Sequence, residues 1–70
     1  MELVTVIFKR DEAWPTVGVW SDGSGQFSCF KAEPDDEGAD FDDYRPTTLL
    51  DGPFPDCFQA EREARRLAGW

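Results

Sequence analysis

The alternation of apolar and polar positions marks out strands in the first half of the chain and a helix at its end. "LVTVIFKR" (3–10) is apolar and β-branched, which predicts a strand. "DEAWP" breaks it with a turn and a proline, and "TVGVWS" (16–21) predicts a second strand. "DGSG" (22–25) is a hairpin signal, with glycines where a positive φ is wanted, and "QFSCFKA" (26–32) returns as strand three. A turn at Gly23 and Ser24 sets Trp20 opposite Phe27, Val19 opposite Ser28 and Val17 opposite Phe30. Alternation then puts Trp20, Phe27 and Cys29 on one face and Val17, Val19 and Phe30 on the other. A slip of one residue exchanges such sets. Further on, "TTLL" (47–50) suggests a short edge strand, since Pro46 before it suits an edge, and "DGPFP" reads as a turn.

The helix is predicted over 56–68. Asp56 is a good N-cap, Gln59 three residues on completes a capping-box pattern, and Pro55 stands just ahead. Cys57, Ala60, Ala64, Leu67 and Ala68 recur on one helical face. Arg65 and Arg66 lie late, where the macrodipole favours them, Glu61 to Arg65 is an i,i+4 pair, and Gly69 stops the helix. Three alanines on the inner face let the helix sit close to a sheet. The order β-β-β-(β)-α predicts an α+β fold: one domain over 1–70, with an antiparallel sheet of three or four strands and a C-terminal helix packed on it. Its parts are the sheet at 3–32, an acidic loop at 33–46, an edge segment and turn at 47–55, and the helix.

One helix covers one face of a sheet. Large apolar groups on the opposite face need a lid, for which Trp14, Phe41, Phe54 and Trp70 are the candidates, or another chain. Val17, Trp20, Phe27 and Phe30 are therefore the candidate residues for a homodimer or partner face. Ten aromatics in 70 residues offset the small size and make the chain globular.

Charge changes the picture more than size does. The net charge is −8, and seven of the fifteen acids lie between Lys31 and Arg45: Glu33, Asp35, Asp36, Glu37, Asp40, Asp42 and Asp43. The other eight nearly cancel the seven Lys and Arg. Such a balance disfavours direct binding of nucleic acid or of an anionic membrane, which needs clustered Lys and Arg. A basic protein surface is the natural complement. Phe41 and Tyr44 interleave the acids, as anchors would within a steering charge. The apolar run at the start is too short for a signal h-region or a membrane span, and a cytoplasmic protein is expected.

Catalytic and metal chemistry find little support. With Gly38 in the sixth position of a calcium loop, Glu33, Asp35 and Glu37 fill positions one, three and five, but Tyr44 stands where the bidentate Glu is required. The chain has no histidine, so no Cys-His or Ser-His pair is available, and two cysteines alone do not close a zinc site. Cys29 and Cys57 are expected as core residues, and a disulfide between them requires strand three to meet the helix start. No catalytic residue, cofactor or metal is expected.

"VWSDGSGQFSCF" followed by "FQAEREARRLA" resembles small acidic sheet-plus-helix accessory proteins of bacteria and phages. Some phage-borne members of that kind inhibit nucleic-acid-binding machinery by occupying its basic surface. The resemblance implies a protein-binding role. The expected function is a non-enzymatic interaction module whose acidic segment, with Phe41 and Tyr44, docks on a basic protein surface. The alternative is a structural homodimer or accessory subunit built through an apolar sheet face, with the acids only solvating.

Overall fold

The computed structural model describes residues 1–34 and 44–70. Four strands, β1 (Glu2–Ile7), β2 (Val17–Ser21), β3 (Phe27–Pro34) and β4 (Tyr44–Phe54), precede one helix, α1 (Cys57–Leu67). The strands form a single antiparallel sheet in the order β1-β2-β3-β4, and the helix packs on one face of it. The α+β layout expected from the sequence is the fold. Its optional fourth strand is present and is the longest of all, running from Tyr44 to Phe54 rather than over 47–50. Pro46 and Pro53 fall inside β4, which is tolerated because β4 is an edge strand and its register against β3 shifts three times.

The β2–β3 register differs by one residue from the expected one. Trp20 pairs with Ser28, Val19 with Cys29, Gly18 with Phe30 and Val17 with Lys31. The turn is longer than two residues. The Asp22 amide donates to the Gln26 carbonyl at 3.1 Å, and Gly23 and Gly25 both take positive φ, at 86° and 91°. The Asp22 carboxylate accepts from the Ser24 amide and hydroxyl, both at 2.8 Å, and from the Gln26 amide at 3.3 Å. These hydrogen bonds to the charged form, the Ser24 amide foremost, hold the Asp22 carboxyl below its usual range. A side chain that bonds its own loop thus decides which residues of the hairpin meet.

That register sorts the two faces. Val17, Val19 and Cys29 lie under the helix with Ala60, Ala64 and Ala68, all fully buried, and Ile7, Phe27, Leu50, Phe54 and Leu67 border them. Small residues on both sides bring helix and sheet close enough for the Cys29 thiol to lie 3.1 Å from the Ala60 carbonyl oxygen. Burial foremost, then the Asp51 and Glu63 carboxylates, pushes the Cys29 thiol up to about 11, so it keeps its proton. Cys29 and Cys57 are both free. On the other face a row crosses all four strands, Val6 to Gly18 to Phe30 to Leu49. The Trp20 ring lies over Gly18: a Cβ there would stand 2.3 Å from the ring. The same ring meets Phe30 edge to face, with centroids 5.7 Å apart.

The helix begins as its sequence requires. The Asp56 carboxylate accepts from the Phe58 amide at 2.8 Å, the bond that defines an N-cap. It ends in a Schellman arrangement, in which the Trp70 amide donates to the Arg65 carbonyl and the Gly69 amide to the Arg66 carbonyl. Gly69 is required twice over. Its φ is 98°, and a Cβ would run into the Trp14 ring at 2.6 Å.

Candidate functional site

The loop joining β1 to β2 supplies one wall of the main concavity. The Asp11 carboxylate accepts from the Ala13 amide at 2.9 Å, and the Trp14 amide donates back to the Asp11 carbonyl. The Arg10 amide donates to the Ala68 carbonyl at 3.0 Å, and the Lys9 amide to the Thr16 hydroxyl. These bonds tie the loop to the end of α1 and to the start of β2. Phe8 and Trp14 are left 54% and 42% exposed, large for aromatics in so small a protein.

The opposite wall is the far end of the β3–β4 ladder. Ala32 pairs with Pro46, Glu33 with Arg45 and Pro34 with Tyr44. The Tyr44 ring meets the Phe8 ring edge to face, with centroids 5.9 Å apart. Between the walls lies an open groove of about 870 Å³, lined by Phe8, Trp14, Lys31, Glu33, Tyr44 and Leu50 among others. Its charges pair within it: Lys9 with Glu12 at 3.3 Å, and Lys31 with Glu33 at 4.0 Å. The groove is thus aromatic and close to neutral.

Of the residues expected to bind a partner, Glu33 and Tyr44 are brought together here, at the two ends of the acidic segment. Asp35, Asp36, Glu37, Asp40, Phe41, Asp42 and Asp43 lie outside the described residues. Val17, Trp20, Phe27 and Phe30 do not share a face. Val17 is fully buried and Phe27 half-buried on the helix side, while Trp20, only 4% exposed, and the half-buried Phe30 lie on the other. The suggested lid is not formed by Trp14, Phe54 or Trp70. Trp14 packs against Gly69, Phe54 borders the core under the helix, and the Trp70 indole N–H donates to the Phe8 carbonyl at 3.0 Å.

The sequence does not set Phe8 apart from ordinary core aromatics, and it offers Trp14 only as a lid candidate. The available signal was their placement at either end of a polar turn, "FKRDEAW", where aromatics have little sheet to pack on. Among the described residues, no group of three His, Cys, Asp or Glu is placed to hold a metal ion. Among them, too, no helix is long and apolar enough to cross a membrane. What the groove offers chemically is aromatic edges, aliphatic contact and a few rim charges. Comparison with family models, with curated proteins and with solved structures found no match to this chain.

Proposed function

We propose that this is a non-enzymatic interaction module of the cytoplasm that docks its acidic segment onto a basic protein surface of the kind that holds nucleic acid. The observation that carries this reading is the gathering of seven of fifteen acids between Lys31 and Arg45, in a segment whose two ends are paired beside an exposed aromatic groove. Concentrated charge steers encounter, and a neighbouring aromatic pocket gives a place where an anchor from the partner can be desolvated. Phe41 and Tyr44 are the segment's own anchors in this reading. The role fits an inhibitor of the phage type, which competes with nucleic acid for a cationic groove.

The test pairs the wild type with a variant in which Asp35, Asp36, Glu37, Asp40, Asp42 and Asp43 become Asn or Gln. Proteins captured from bacterial lysate are identified, and the purified partner is then titrated against duplex DNA and RNA. Binding that the variant loses, that salt weakens and that nucleic acid displaces supports the proposal. Equal affinity of wild type and variant for the same partner removes it. A homodimer through the sheet face opposite the helix has Val4 and Leu49 in its favour, at 42% and 54% exposure. It is the weaker reading, because Trp20 and Val6 on that side are already buried within one chain.

A further inference from the structure

The two edges of the sheet are protected in different ways. β4 carries Pro46 and Pro53, which lack the amide donors that an incoming strand needs. β1, "ELVTVI", has no proline and little charge, and a bulge between Leu3 and Thr5 interrupts only its first half. Its second half is regular, with Thr5, Val6 and Ile7 paired to Val19, Gly18 and Val17.

Hydrogen-bond phase shows which of these residues face outward. The Ala32 amide donates to the Thr16 carbonyl, so Thr16, Gly18 and Trp20 address β3, and Val17 and Val19 address β1. Their partners Ile7 and Thr5 point inward. The peptide groups of Val6 and Phe8 therefore point away from the sheet. At that place stands Trp70. Its indole N–H donates to the Phe8 carbonyl at 3.0 Å, and its own amide is fixed on the Arg65 carbonyl at 2.8 Å. A hollow of about 360 Å³ beside the edge is lined by Val6, Ile7, Phe8, Arg65 and Trp70.

We infer that Trp70 is an edge guard: by occupying the outward side of β1 at Phe8, it blocks antiparallel pairing with the β1 strand of a second copy. The occupant it excludes is a second copy because β1 is charge-complementary to itself. Glu2 stands at its start and Arg10 lies beyond its end, so antiparallel pairing centred on Val6 sets acid against base at both ends. Apolar Val4 and Phe8, both exposed, would be covered in the same event.

The experiment measures mass by multi-angle light scattering from micromolar to near-millimolar concentration for wild type, Trp70→Ala and the double variant Trp70→Ala/Val4→Lys. The chain weighs 7.9 kDa, and Trp70→Ala is expected to rise toward twice that mass at concentrations where the wild type does not. The edge lysine should reverse the rise. A Trp70→Ala protein with native circular dichroism and the wild-type mass throughout overturns the inference, as does association that Val4→Lys leaves intact. If Trp70→Ala does not fold, Trp70→Phe decides, since it keeps the ring and loses only the donor. The mass of Trp70→Phe over the same range should likewise exceed that of the wild type at the highest concentrations. A wild-type mass for Trp70→Phe there also overturns it.

Discussion

At the middle of the sheet the two faces reach low exposure by opposite means. Under the helix, burial is achieved with small groups: Val17, Val19 and Cys29 against three alanines, so that two backbones approach closely. On the other face a single large ring does the covering. Trp20 lies over Gly18, with Val6 and Phe30 on either side of that glycine in the same row, and it is left 4% exposed. The described residues hold helix enough for one cover. The middle of the second face is closed from within, by pairing the largest side chain with the absence of one, while Val4 and Leu49 stay exposed.

The sharpest way to break this contrast is Trp20→Ala. It opens the Gly18 notch and leaves Phe30 without its partner, and should cost about 3–5 kcal/mol, the usual range for deleting a buried large aromatic. Urea unfolding at constant m-value would measure it, and a cost near zero would mean that Trp20 is not the cover. The counterpart under the helix is Ala64→Leu. Overfilling that close contact should cost about 1–3 kcal/mol, read by the same method, with the helix pushed off Val17 and Val19.

Cys29 sharpens the comparison through pH. Its thiol is raised from an ordinary 9.0 to about 11 in the folded chain, so the unfolded chain gives up this proton first. Its stabilising effect is complete below pH 9 and is lost as pH rises through about 11. Melting temperature should fall across that window, and the Cys29→Ala variant should fall less steeply. Parallel slopes would place the alkaline loss elsewhere. The smallest effect belongs to the helix's exposed side. Glu61→Gln removes the 3.3 Å pair with Arg65 and should cost only about 0.3–0.5 kcal/mol, near the limit of the same urea measurement.

The helix could be read almost residue by residue because every signal in it is local: a cap at Asp56, an alanine stripe, a glycine at 69. The hairpin could be read, but not its register. Gly23 and Gly25 serve two loop lengths equally well, and the choice rests on bonds from the Asp22 side chain. The sequence shows only 47–50 of β4, because Pro46, Gly52 and Pro53 break the apolar pattern. An edge position with register shifts tolerates all three, and edge position is a property of the assembled sheet. The candidate site divides in the same way. Its acids are contiguous and visible in the sequence, while Phe8, Trp14, Tyr44 and Leu50 become neighbours only after four segments have folded.

The pairing of Pro34 with Tyr44 closes the chain on itself. Two positions ten residues apart in sequence are held side by side by the same ladder that sets Ala32 against Pro46 and Glu33 against Arg45. The sheet is, in that sense, a clasp: strand pairing fixes both ends of the most acidic stretch of the sequence beside a groove whose own charges cancel.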